Sequence, residues 1–155
     1  MKAAEITDRL LEELRSGRFR HARLNYANGD MVGHSGNRDA SIVAVEAVDL
    51  QLGRLLPCVA ALEGAAIVTA DHGNCDEMFE RDEKTGKPKL DARGEPRVKT
   101  SHSLNPVPFY VYAPGAELRL GPAAADAALA NLAATLLHLM GYAAPDGYAP
   151  SLLAG

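Results

Sequence analysis

The sequence predicts an α/β protein, and three observations lead to that fold class. Helix-like and strand-like segments alternate along the 155 residues, as they do in proteins that connect strands through helices. Two apolar runs, 65–70 and 107–112, have the length of strands buried in a sheet. Hydrophobic residues make up 47% of the chain, an ordinary value for a globular protein. We therefore expect a mainly parallel sheet covered by helices, with functional residues in loops at the strand ends.

The first quarter of the chain predicts a helix, a strand and a loop. Apolar residues spaced three and four apart predict an amphipathic helix over 3–16, which ends at Gly17. The partly apolar segment 22–27 is interpreted as a strand. The segment 28–37 is rich in Gly and Asn and is interpreted as a loop.

The middle of the chain predicts a long helix followed by a buried strand. Apolar periodicity runs over 40–62, with a kink expected at Pro57 and an end at Gly64. The strand 65–70 follows directly, and its unbroken apolar character is typical of a strand covered on both faces.

The remaining chain predicts an excursion, a strand and a helix. Residues 80–99 mix charges of both signs with Gly and Pro, which favours a solvated surface excursion. The strand 107–112 comes next, then an Ala- and Leu-rich helix over 123–140 and an irregular tail over 142–155.

The composition argues against several classes of function. The formal net charge is −4 and the pI is about 5.7, so we expect no nucleic acid partner and no membrane partner. The longest apolar stretch, 122–140, is interrupted by polar residues and does not read as a membrane span. Cys58 and Cys75 cannot form a disulfide framework, and no signal sequence follows Met1. These features predict a cytoplasmic protein.

Three loops beside the predicted strands carry the residues that suggest chemistry. Asp30 and His34 follow the first strand, and Asp71 and His72 follow the second. His102 lies in the loop that leads into the third strand. Carboxylate and neutral imidazole together are the usual ligands of Mn²⁺ or Zn²⁺. The three loops together therefore predict a metal site.

The spacing within these loops is compatible with one metal or two. Asp30 and His34 are four residues apart, so a helical turn would place both on one side. The adjacent pair Asp71 and His72 points its side chains in different directions, and can serve two sites or bridge two metals. Two metals about 3.5–4 Å apart can clamp the attacking and leaving oxygens of phosphoryl transfer.

Each of these residues has a simpler interpretation when it is taken alone. Asp71 before His-Gly is compatible with an Asx turn or a helix cap, and His34 with a surface-loop histidine. Cys75 is a candidate thiol nucleophile, but nothing in its context argues for a lowered pKa, which favours a packing role. His138 on an apolar helix and His21 in a basic stretch are interpreted as structural and solvated residues.

Three segments resemble cofactor-independent (2,3-bisphosphoglycerate-independent) phosphoglycerate mutase of the alkaline phosphatase superfamily. They are 25–37 (NYANGDMVGHSGN), 69–78 (TADHGNCDEM) and 101–111 (SHSLNPVPFYV). The resemblance extends over almost the whole chain in the family's order and spacing. It implies a partial alkaline-phosphatase-like three-layer fold.

The resemblance also implies an activity and a set of ligands. The family is an isomerase of glycolysis and gluconeogenesis that interconverts 3-phosphoglycerate and 2-phosphoglycerate. It uses two metals, usually Mn²⁺, and a transiently phosphorylated serine. By resemblance, Asp30, His34 and His102 match the protein ligands of one metal, and Asp71 and His72 match two ligands of the other. The donor types tolerate Zn²⁺ as well as Mn²⁺.

The chain departs from the family pattern in length. The family's nucleophilic serine, another aspartate ligand and the substrate-binding domain lie in segments with no counterpart here. Ser35, Ser101 and Ser103 are near the metal loops, but none matches the nucleophile. We expect residues 1–155 to be the C-terminal portion of the metal-binding phosphatase domain, and we expect this chain alone to be inactive.

Two other interpretations remain open at this point. One is a truncated metal-binding or interaction module, and the other is half of a different superfamily phosphatase. A three-stranded sheet would leave an apolar edge or face exposed. We expect it to be covered by a missing N-terminal segment or by self-association.

Overall fold

The computed structural model describes residues 1–154, and it confirms the α/β class. The helices are α1 (Ala3–Arg15), α2 (Asn28–Gly33), α3 (Arg38–Ala61) and α4 (Leu132–Leu139), with short 3-10 helices at Pro122–Asp126 and Leu129–Asn131. The strands are β1 (Ala66–Thr69) and β2 (Phe109–Tyr112). The chain divides into two compact units, one of residues 1–58 and 72–108, the other of 59–71 and the residues from 109 onward.

Helix α1 in the first unit confirms the amphipathic prediction. Ala3, Thr7 and Leu11 are buried, and their spacing of four residues places them on one face. Thr7 Oγ1 and the hydroxyl of Tyr26 lie 2.6 Å apart in a hydrogen bond. This bond ties the helix to the segment that leads into α2.

The segment 22–27 is not a strand, and residues 28–33 are helical rather than a loop. Among residues 1–154, the strands β1 and β2 pair with each other. A strand requires the backbone of a neighbour for its hydrogen bonds, and the apolar character of 22–27 cannot supply one. The helical turn of α2 begins with the hydrogen bond from Met31 N to Ala27 O at 2.9 Å.

Helix α3 lies within two residues of its predicted bounds and contains Pro57. Its start is capped by Asn37, whose Oδ1 accepts a hydrogen bond from Ala40 N at 3.0 Å. Its end differs in detail from the prediction. Glu63, rather than Gly64, takes the left-handed backbone conformation with φ of 52°, and Gly64 N donates to Val59 O at 2.9 Å.

The two strands in the second unit pair in the antiparallel direction. Ala66 is opposite Tyr112, and Thr69 is opposite Phe109. The parallel pairing that we expected is therefore wrong for β1 and β2. Strand β1 is also half-exposed rather than buried on both faces, because a two-stranded sheet has little to cover it.

The helix predicted over 123–140 is shorter in the structure. The backbones of Ala127 and Ala128 are extended, and regular α-helix is confined to α4. Asn131 Oδ1 accepts a hydrogen bond from Ala128 N at 2.8 Å. A side chain that takes up a backbone N–H in this way offers an alternative to the helical hydrogen-bond pattern.

The charged segment 80–99 turns back on itself through isolated antiparallel bridges. Phe79 pairs with Val98, and Leu90 pairs with Pro96.

No helix within residues 1–154 combines the length and the apolar character needed to cross a membrane.

Candidate metal centre

Helix α2 places Asp30 and His34 on one face. Asp30 Oδ1 lies 3.2 Å from Nε2 of His34, because residues four apart are neighbours along a helix. The hydrogen bond from His34 N to Asp30 O at 3.3 Å closes the same turn. A loop was expected in this segment, and the short helix found there is what places the two side chains next to each other.

The loop 100–106 brings His102 to the same carboxylate. His102 Nε2 lies 3.2 Å from Asp30 Oδ1. The loop is fixed beside the residues that follow His72 by the hydrogen bond from Ser103 N to Gly73 O at 2.9 Å. Asp30, His34 and His102 each offer one ligand atom, and all three atoms lie within 4.8 Å of one another. These three residues are called the cluster below.

The other two predicted ligands lie outside this cluster, within the part of the chain that the structure describes. The imidazole of His72 stacks on that of His102, with ring centroids 3.5 Å apart and planes inclined by 6°. Asp71 is exposed and belongs to the second unit.

Asn74 contacts the cluster directly, and the sequence analysis did not single it out. Its Nδ2 donates to Asp30 Oδ1 at 2.7 Å and lies 3.1 Å from Nε2 of His34. The signal that could have identified it is its place after Asp71-His72-Gly73, in a loop that was already suspected. The amide thus gives the Asp30 carboxylate a hydrogen-bond donor.

The surroundings of Asp30 favour its ionised form. Burial raises the pKa of this carboxyl, but the hydrogen bond from Asn74 and the nearby imidazoles of His34, His102 and His72 outweigh burial and lower the pKa. Asp30 is therefore a carboxylate at neutral pH, which is the form that a cation requires.

Asp76 holds the loop that carries His102. Its Oδ2 accepts hydrogen bonds from Ser103 Oγ at 2.7 Å and from Asn105 Nδ2 at 2.6 Å. Burial raises the pKa of Asp76, while these hydrogen bonds and those from the backbone lower it below the ordinary value. Asp76 is not among the site residues predicted from the sequence.

The donors of the cluster fit a divalent cation. One carboxylate oxygen and two imidazole nitrogens suit Mn²⁺, Zn²⁺ or Co²⁺, and they converge from two separate segments. The other candidate residues have other hydrogen-bond partners or are exposed. Cys75 Sγ donates to Gly29 O at 3.0 Å, His138 Nδ1 lies 3.0 Å from Ser151 Oγ in the second unit, and His21 is exposed.

Comparison with known proteins identifies relatives. The family model described as the metalloenzyme superfamily matches residues 1–144. The chain is 46% identical to the 2,3-bisphosphoglycerate-independent phosphoglycerate mutase of Trypanosoma brucei brucei and 43% identical to phosphoglycerate mutase 1 of that type from Arabidopsis thaliana. Each alignment covers 99% of this chain and 28% of the relative.

A solved structure shows the same similarity in three dimensions. It is the Leishmania mexicana phosphoglycerate mutase determined at low cobalt concentration, with a TM-score of 0.91 and 44% sequence identity. The match covers 99% of this chain and 28% of that one. The chain thus spans less than a third of the length of the relatives that it matches.

Proposed function

This chain belongs to the metalloenzyme superfamily, and on that premise we propose that Asp30, His34 and His102 hold one divalent metal ion. The observation that carries the proposal is the convergence of their three ligand atoms within 4.8 Å. The carboxylate supplies negative charge, and the two imidazoles supply nitrogen lone pairs.

Mn²⁺ is our first choice for this ion, with Zn²⁺ as the alternative. The solved relative was studied with cobalt, which agrees with a site for divalent transition metals. A bound ion of this kind stabilises negative charge on a phosphoryl group. Within this chain, α2 fixes the spacing of Asp30 and His34.

We propose that Asp71 and His72 contribute to a second metal site. The motif resemblance is the basis for this assignment. The stacking of His72 on His102 places a further imidazole against the cluster, which supports it. Other ligands of that site would come from residues beyond these five.

We infer that a polypeptide of the relatives' length interconverts 3-phosphoglycerate and 2-phosphoglycerate, with these 155 residues as the C-terminal portion of its metal-binding domain. The support is the 46% and 43% identity to phosphoglycerate mutases across 99% of this chain. By resemblance, none of its serines matches the phosphorylated nucleophile. We therefore expect the 155 residues, assayed alone, to be inactive.

The similarity to phosphoglycerate mutases leads to two further proposals, one about the fold and one about the cellular compartment. In such a polypeptide, β1 would join a mainly parallel sheet of the three-layer fold, and the half-exposed face of β1 supports this. The cysteines Cys58 and Cys75 are both free thiols, which suits the reducing cytoplasm.

Calorimetric titration tests the metal proposal. Mn²⁺ should bind the chain, and the double variant His34→Ala, His102→Ala should lose that binding. His21→Ala is the matched control, because it removes an exposed imidazole outside the cluster. Equal binding by the chain and by the double variant would show that the ion sits elsewhere.

A separate assay tests the proposal about activity. The 155-residue chain with Mn²⁺ should not convert 3-phosphoglycerate, and a chain of the relatives' length should do so. Turnover by the short chain would contradict the assignment of the nucleophile to another segment.

A further inference from the structure

Three consecutive residues, Asn74, Cys75 and Asp76, reach both segments that carry the cluster. Asn74 Nδ2 donates to Asp30 Oδ1 at 2.7 Å and lies 3.2 Å from the main-chain oxygen of the same residue. Cys75 Sγ donates to the main-chain oxygen of Gly29 at 3.0 Å. Two of the three residues therefore hold helix α2 at the turn that presents Asp30.

The third residue holds the other segment. Asp76 Oδ2 accepts hydrogen bonds from Ser103 Oγ at 2.7 Å and Asn105 Nδ2 at 2.6 Å. Ser103 is only 3% exposed and directly follows His102. The Asp76 carboxylate thus fixes the backbone on the C-terminal side of this histidine.

Two glycines leave the space that these contacts need. A Cβ on Gly33 would overlap Oδ1 of Asn74, and a Cβ on Gly73 would overlap Oγ of Ser103. Larger residues at either position would displace the hydrogen-bonded side chain. The absence of a side chain at Gly33 and Gly73 therefore lets the side chains of Asn74 and Ser103 lie close to the backbone.

We propose that residues 74–76 form a clasp that positions two metal ligands before an ion binds, Asn74 acting on Asp30 and Asp76 acting on His102. The inference rests on the metal site proposed above. Hydrogen bonds behind the ligands orient them, and their loss typically costs about 10- to 100-fold in metal affinity. Neither Asn74 nor Asp76 needs to contact the ion to have this effect.

Metal affinity is the first test, measured by calorimetry with Co²⁺ on the 155-residue chain. Asn74→Ala and Asp76→Ala should each bind Co²⁺ about 10- to 100-fold more weakly. Asp82→Ala is the matched control, since Asp82 also accepts several hydrogen bonds, but in the segment 80–99. The control should bind as the unaltered chain does.

Backbone ¹⁵N relaxation of the metal-free chain is the second test. Asn74→Ala should increase fast motion in 28–34, and Asp76→Ala should increase it in 100–106. Asp82→Ala should change neither segment. If the unaltered chain takes up no Co²⁺, the proposed metal site fails, and the relaxation data alone then decide whether the clasp orders these segments.

A third variant tests the proposal independently, in case Asn74→Ala does not fold. A Cβ at position 33 would overlap the Asn74 side chain, so Gly33→Ala should reproduce the loss of affinity, and adding it to Asn74→Ala should cost little more. The clasp is overturned if neither Asn74→Ala nor Asp76→Ala alters mobility in its own segment. The proposal is also overturned if Asn74→Ala and Asp76→Ala both bind Co²⁺ as tightly as Asp82→Ala does.

Discussion

Asp30 is the residue on which the proposed metal site depends. Its Oδ1 lies within hydrogen-bond distance of Asn74 Nδ2 and 3.2 Å from an imidazole nitrogen of both His34 and His102. A neutral side chain at position 30 would leave two imidazoles and no negative charge. We therefore expect Asp30→Asn to weaken Mn²⁺ binding at least as much as the loss of one histidine, measured by the same calorimetry.

Asp82 gives a prediction about pH. Hydrogen bonds from the backbone N–H and the hydroxyl of Thr85, together with that from Lys84 N, lower its pKa below the ordinary value. A carboxyl with a lowered folded-state pKa stabilises the fold above its unfolded-state pKa, and this contribution disappears as the pH falls through the folded-state pKa. Asp82→Asn should therefore be less stable than the unaltered chain at pH 7, by a margin that narrows as the pH is lowered toward 2.

Urea unfolding at the two pH values provides the measurement. The difference in midpoint between the chain and Asp82→Asn should shrink as the solution is acidified. A difference that stays constant from pH 7 to pH 2 would show that the carboxylate charge is not what stabilises this turn.

Helix α4 depends on one buried hydroxyl in the second unit. Thr135 is fully buried, and its Oγ1 donates to Asn131 O at 2.7 Å and accepts from Leu152 N at 2.9 Å. Thr135→Val would leave the Leu152 N–H without its acceptor, which costs about 1–3 kcal/mol. Thr135→Ser keeps the hydroxyl and should lose less stability than Thr135→Val.

Chemical denaturation followed by circular dichroism compares these variants. The free energy of unfolding should fall in the order unaltered chain, Thr135→Ser, Thr135→Val. Equal stability of the two variants would mean that the hydroxyl does not hold the tail against α4.

The elements that the sequence predicted correctly are those with strong local signals. α1 and α3 follow from apolar periodicity, and the positions of β1 and β2 follow from short apolar runs. Strand direction could not be predicted, because it depends on pairing between segments about forty residues apart. The shortening of the last helix coincides with a side-chain hydrogen bond at Asn131, which helix propensity does not reveal.

The same reasoning explains which parts of the site were found. Asp30, His34 and His102 stand out because their residue types favour metals and their loops adjoin predicted strands. Asn74 and Asp76 have residue types that are common in any turn. Their roles depend on partners 44 and 27 residues away in sequence. These roles can therefore be identified only from the folded structure.

At the scale of the whole molecule, apolar side chains remain on the surface. In the first unit, Val43, Val45 and Leu50 of α3 are 64%, 50% and 67% exposed. In the second unit, Tyr110 of β2 is 65% exposed. Apolar surface of this kind favours association, so we predict that the isolated chain self-associates unless another segment covers it.

Light scattering at several concentrations measures this tendency. The apparent mass should exceed the 16.4 kDa of one chain and fall on dilution. Leu50→Glu should shift the distribution toward the monomer by placing a charge on α3. A monomer at every concentration would contradict the prediction.

The central claim is that one divalent ion lies between Asp30, His34 and His102. Anomalous diffraction from crystals of the chain soaked in Co²⁺ tests it most directly. We expect an anomalous peak within coordinating distance of the Asp30 carboxylate and of Nε2 of both histidines. A well-ordered cluster without a peak, or a peak at other residues alone, would contradict it.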